Sequence, residues 1–250
     1  MTAALSLLLL LLAPACVAGQ SAAANLYNQA NALYQQGQFE AARQRYAQVA
    51  ESGVADARLS YNLGNACFKA GHLGQAVLWY ERALRLDPRD EDVRANLRYA
   101  NQVKQDRDPP SDNVVWDFLM RLYFLPTANE ACLLFTLLLV LACGLAAWGV
   151  VDPGRRPAAW TPLLALCAAL LVLSGAYLAT RVYHREAVVE AVVTAAEGTA
   201  RSGPDATQTT VFVVHEGTKV RVARTEGGWL LVRLSNGLGG WLSSSAVEVI

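Results

Sequence analysis

The sequence predicts a multi-domain membrane protein in which an α-helical repeat array, a two-helix transmembrane hairpin and a small all-β barrel follow one another. Three observations point there. Two N-terminal segments echo each other at a spacing of 34 residues, two long apolar runs come next, and residues 187–250 alternate apolar and polar with a period of two. Composition agrees: 54% of the 250 residues are hydrophobic and only 17% are charged. The 21 basic and 21 acidic residues cancel, so no global field recruits nucleic acid. The five cysteines (Cys16, Cys67, Cys132, Cys143, Cys167) are odd in number and scattered, without a Cys-x-x-Cys pair or a Cys/His set at metal-ligand spacing. No disulfide framework, metal site or cofactor is expected.

Residues 1–19, MTAALSLLLLLLAPACVAG, read as a signal peptide: an apolar run of h-region length, then small residues, with cleavage near Ala18 or Gly19. The n-region lacks Lys and Arg, and LAPAC also fits a degenerate lipobox with Cys16 as the lipidated residue. Cleavage, lipidation and an uncleaved anchor all stay open.

Residues 25–56 and 59–90 align at an offset of 34: Asn28 with Asn62, Asn31 with Asn65, Gly37 with Gly71, Ala42 with Ala76, Tyr46 with Tyr80. That offset is the period of the tetratricopeptide repeat (TPR), a helix-turn-helix unit. A third start, RANLRYA, is in register but has no second helix, so it reads as a cap helix closing a two-repeat domain over 20–104. Gly64 and Ala30 lie where paired helices approach, and Tyr46 and Tyr80 fill the wedge between hairpins. Gly37 and Gly71 end the first helices, and Asp87-Pro88 stops the last full one. Gly64→Leu is therefore expected to force the helices apart.

Residues 105–128 read as a polar linker, QDRDPPSDN, and an amphipathic interfacial segment with Trp116, Tyr123 and Phe124. Residues 129–151 and 161–183 are each long and apolar enough to cross a hydrocarbon core roughly 30 Å thick, with 152–160 as the loop between them. Trp148, Trp160, Tyr177 and Tyr183 lie near the ends, as an aromatic belt would. A signal peptide sends the repeats outside, and Arg155 and Arg156 in the loop then face the cytoplasm as the positive-inside rule expects. Arg181 and Arg185 argue mildly the other way.

Residues 187–250 hold five or six short strands, with turn signals at Glu216-Gly217, Gly227-Gly228 and Asn236-Gly237. The stretch TVFVVHEGTKVRVARTEGGWLLVRLSNGLGGWLSSSAVEVI resembles bacterial SH3-like (SH3b) domains, which share its order of an EGTKV strand, a GW strand and a second GW strand. The resemblance implies a small all-β SH3-like barrel in which Trp229 and Trp241 serve core and rim packing.

The candidate binding residues lie in both soluble modules. On the first helices, Asn28, Asn31, Asn62, Asn65 and Asn96 share a face with Tyr27, Tyr34, Tyr61 and Phe68. Carboxamides offer donor and acceptor together, and aromatics supply contact area at low entropy cost, as an extended peptide requires. The other reading is repeat consensus without a ligand. On the groove reading, replacing Asn31 and Asn65 together by Ala is expected to leave folding nearly intact and to weaken partner capture. Some members of the repeat family clamp a peptide C-terminus with Lys, Asn and Arg. Asn31 and Asn62 match that pattern, but Tyr27, Asp92 and Asn96 stand at its basic positions, so the clamp is incomplete. Arg58, Lys69, Arg94 and Arg98 read as a solvated face. In the barrel, Phe212, His215, Trp229 and Trp241 either line a peptide or glycan groove or simply pack. The three histidines are separated in sequence and no nucleophile or phosphate-loop motif occurs, so no catalytic residue is expected.

Taken in order and size, leader, two repeats with a cap helix, two spans and an SH3b barrel resemble the BatE-like proteins of the Bacteroides-aerotolerance (Bat) operons. The resemblance covers nearly the whole chain. It implies von Willebrand A-domain membrane proteins and a MoxR-type ATPase as partners, and a part in aerotolerance, oxidative-stress tolerance or envelope maintenance. The expected location is the bacterial inner membrane, two-pass, with both soluble modules periplasmic. Three functions fit: a non-enzymatic envelope scaffold, a peptidoglycan-binding or wall-sensing protein, and, with inverted topology, a cytosolic assembly adaptor.

Overall fold

The computed structural model describes residues 22–107, 113–151, 154 and 157–250. The leader with Cys16, the diproline of the linker, and Arg155 and Arg156 lie outside the described residues. Five helices build the array: α1 over 22–35, then α2 (Phe39–Glu51), α3 (Ala57–Lys69), α4 (Leu73–Leu86) and α5 (Glu91–Val103). Local chemistry sets their ends. Asp56 caps α3 by accepting the Leu59 N–H at 2.9 Å, and Asp90 caps α5 by accepting those of Asp92 and Val93 at 3.0 Å. Gly37 and Gly71 turn the chain after α1 and α3 at φ 76° and 88°, a region that strains any side chain. A Cβ on Gly64 would stand 2.7 Å from the Tyr80 ring. Its absence lets α3 and α4 meet.

Seven strands follow, one or two more than expected: β1 (Val189–Val193), β2 (Glu197–Arg201), β3 (Thr210–His215), β4 (Lys219–Glu226), β5 (Trp229–Arg233), β6 (Gly239–Ser243) and the short β7 (Val247–Val249). Their order in the sheet is β3-β2-β6-β5-β4-β1-β7, an antiparallel all-β module of SH3-like type. Val193, Ala200, Val214, Val220, Val232 and Leu242 form its core.

The array and this β-module form one compact unit, although residues 110–189 separate them in the chain. Strand β1 shows how. Alternation predicts a half-buried strand, yet Ala191, Val192 and Val193 are all buried. Ala191 and Val193 enter the core of the β-module, whereas Val192 joins the core of the array, with Ile250 packed against it. A strand covered on both faces carries a continuous apolar run.

The second unit is helical: α6 (Val114–Phe124), α7 (Ala128–Val151) and α8 (Trp160–Ala187). Within α7 and α8, Ala128–Val151 and Trp160–His184 are long and apolar enough to cross a membrane, with mean hydropathy of 2.4 and 2.2. They pack as a hairpin in which Gly149 accommodates the Trp160 ring, whose Nε1 donates to Leu145 O at 3.0 Å. At the opposite end the Tyr123 hydroxyl donates to Thr180 Oγ1 (2.9 Å) and that of Tyr177 to Tyr123 O (2.8 Å), tying α6 to α8. Large apolar side chains such as Val140, Val150, Val172 and Leu173 are exposed on the pair. That is the reverse of a water-facing surface.

Candidate functional site

The 34-residue period reappears in hydrogen bonds. Tyr46 donates to Asn31 Oδ1 at 2.6 Å and Tyr80 to Asn65 Oδ1 at 2.8 Å. One repeat apart, Asn62 Nδ2 donates to the Tyr27 hydroxyl at 2.7 Å and Asn96 Nδ2 to that of Tyr61 at 3.3 Å. Asn96 also donates to Asn65 Oδ1 at 2.8 Å, joining α5 to α3. Burial pushes the Tyr46 phenol up to about 12 and the Tyr80 phenol higher, so both stay protonated donors. These bonds correct one expectation. Asn31 and Asn65 each satisfy a tyrosine hydroxyl whose residue is only 2% exposed, and a buried polar group left unpaired costs about 1–3 kcal/mol.

Between these helices lies a cavity of about 290 Å³. From the candidate groove it takes Tyr34, Tyr61, Asn65, Phe68 and Asn96. Tyr27, Asn28, Asn31 and Asn62 are not on its wall, and Asn28 is exposed. Sequence reasoning missed Tyr99, whose ring lies 5.6 Å from that of Phe68. The available signal was its place 34 residues after Asn65 in the third start. Lys69, read as part of a solvated face, also lines the cavity, whereas Arg58, Arg94 and Arg98 are exposed and off its wall.

The four β-module candidates do not converge. Trp229 pairs with Ser243 and Trp241 with Leu231, so both tryptophans share one face of β5 and β6. Phe212 packs instead against the core of the β-module. His215 is engaged by the array: its main-chain N–H donates to Asp106 Oδ2 at 2.7 Å and its ring Nδ1 lies 2.9 Å from Asp106 Oδ1.

That contact belongs to an interface the sequence did not announce. Thr218 Oγ1 donates to Asp106 Oδ2 at 2.9 Å. Burial works to raise the Asp106 pKa, but the bonds from His215 and Thr218 and the His215 charge outweigh it and hold the carboxyl below its ordinary 3.8. Along α4, the Gly74 N–H donates to Glu216 Oε2 at 2.9 Å, and a Cβ there would stand 2.6 Å from Val193 O. Lys219 Nζ sits between Glu81 (3.1 Å) and Glu190 (3.0 Å). Arg82 and Arg85 donate to the carbonyls of Val249 and Ile250, each at 2.6 Å. Small apolar contact ringed by charge is the usual makeup of a contact between domains.

Residues 27–91 match the tetratricopeptide repeat family, and residues 198–248 match the bacterial SH3 domain family. No curated protein matches the chain. The protein thus combines a helical TPR array, two helices able to span a membrane and a bacterial SH3 module. Both matched modules are interaction modules, typically without catalysis.

Proposed function

We propose that this protein is a non-enzymatic, membrane-anchored adaptor that captures an extended acidic segment of a partner protein in its repeat groove. The cavity carries the reading. Its rings supply area at low entropy cost. Asn65 Oδ1 accepts two bonds and Asn96 Nδ2 gives two, which leaves an Asn65 donor and an Asn96 acceptor for an extended main chain. Lys69 is the single charged residue on the wall, and its ammonium favours a carboxylate. By resemblance to BatE-like proteins, the partners are envelope proteins, namely von Willebrand A-domain membrane proteins and a MoxR-type ATPase, and the role lies in aerotolerance or envelope maintenance.

The same reading divides the chain into a leader, repeats over 20–104, two spans and an SH3b domain over 187–250. The joining of array and β-module in one compact unit supports a two-pass hairpin, since modules in contact must emerge on the same membrane face. The leader makes that face periplasmic.

Titration of the full-length protein in nanodiscs with an acetylated, amidated pentapeptide of four glutamates around one phenylalanine tests the adaptor reading. Saturable binding is expected, weakened about tenfold or more by Lys69→Glu. Absence of binding, or indifference to Lys69→Glu, overturns it. A second reading, peptidoglycan binding by the SH3 module, is favoured by the shared face of Trp229 and Trp241. Retention of the full-length protein on purified sacculi, abolished by Trp229→Ala, would support it, and free passage would favour the adaptor.

A further inference from the structure

The groove is lined from four helices, α1, α3, α4 and α5, and α5 is the last helix of the array. An end helix of a solenoid has a neighbour on one side only and is where such arrays fray. Here its inner face is held by Val93 and Ala100, both buried, and by the Asn96 bonds. Its C-terminal end is held by something else. Three residues past Val103, Asp106 receives the His215 N–H, the Thr218 hydroxyl and the His215 ring from the start and end of the β3–β4 turn. Between α5 and Asp106, Lys104 is 3% exposed, and its side chain lies against Gly217 in that same turn.

We propose that Asp106 is a positioning residue through which the SH3 module caps the repeat array, holding α5 and with it the Asn96 and Tyr99 wall of the groove. The SH3 module thereby acts as a terminal cap supplied from the far side of the membrane hairpin in sequence. Whatever ligand needs α5 in place is linked to docking of the module, and docking to the ligand, by the same free energy. That consequence rests on the groove reading; the capping itself does not.

Hydrogen exchange read by mass spectrometry on the full chain in nanodiscs, with no ligand added, tests it. Asp106→Ala is expected to speed exchange across α5 about tenfold or more, with α2 and β5 at wild-type rates. Asp106→Asn keeps an acceptor oxygen for the His215 N–H and is expected to recover part of that protection. Wild-type rates in α5 of Asp106→Ala overturn the proposal. If Asp106→Ala loses protection everywhere, Thr218→Val decides, because it removes one of the three bonds from the sheet side. Faster exchange confined to α5 then supports capping, and an unchanged α5 contradicts it. A groove that binds no acidic peptide leaves these rates as they are, so the two readings fail separately.

Discussion

Helices α2 and α4 hold the same place in successive repeats and agree on their inner face: Ala42 and Ala76 are 0% exposed, and Tyr46 and Tyr80 are 2%. Their outer faces differ. Where α4 has Gly74, Val77, Glu81, Arg82 and Arg85, α2 has Glu40, Arg43, Ala47, Gln48 and Glu51, each 34 residues earlier. Every one of those α4 residues meets the β-module. On α2 the same face stays within the array, with Glu40 accepting from Arg43 at 2.6 and 2.9 Å and lying 3.0 Å from His72 of the next repeat. A repeat keeps its period where helices pack on helices and loses it where another module lands. Departure from the period is thus itself a mark of an interface.

The strongest way to break the comparison is to give α4 the residue of α2. In Gly74→Glu a side chain would grow into Val193 O and the Thr194 backbone, neither of which can rotate away. The β-module is expected to leave the array, read as new protease cleavage around β1 in the intact protein, while Glu40→Gly, which gives up only bonds within the array, should leave it in place. Next comes the inner face. Gly64→Leu places a branched chain into the Tyr80 ring and should lower array stability by about 3 kcal/mol, seen in Tm, whereas Ala30 at the same place in the first repeat already tolerates a Cβ. An unchanged Tm for Gly64→Leu would remove the packing explanation.

Smaller effects sharpen it. Asn65→Ala leaves the buried Tyr80 hydroxyl unpaired and is expected to cost about 1–3 kcal/mol, against close to nothing for Asn28→Ala, in urea unfolding of the two variants. The weakest is the pH response. The Asp106 pKa lies lower in the folded protein than in the unfolded chain, so its contribution is full above its ordinary 3.8 and is lost as pH falls through the depressed value. Subtracting the acid profile of Asp106→Asn from that of wild type should therefore give a difference that is constant at neutral pH and shrinks only below about pH 4.

Much of this architecture was legible because it is periodic. The 34-residue echo gave the helices and their buried tyrosines, the apolar runs gave the two helices long enough to span a membrane, and the Gly-bearing turns gave the hairpins of the sheet. The groove was half legible. Tyr34, Tyr61 and Phe68 were found from their face, but which amide atoms remain free depends on partners across helices, such as Asn96 to Asn65, that spacing does not specify. Asp106 read as linker because it follows the last helix and precedes a proline pair. Its partners His215 and Thr218 are 109 and 112 residues away, beyond any local pattern. Only the apolar run Ala191–Val193 at the end of β1 and the loss of period on α4 hinted that two modules would meet.

The pairing of Lys219 with Glu81 tests that meeting most directly, because Glu190, on the same strand assembly as Lys219, is a built-in control at nearly equal distance. A zero-length carbodiimide cross-link on the intact protein, mapped by mass spectrometry, should join Lys219 to both Glu81 and Glu190, and Gly74→Glu should abolish only the first. Coupling of Lys219 to Glu190 alone in the wild-type protein would contradict the joining of array and SH3 module into one body.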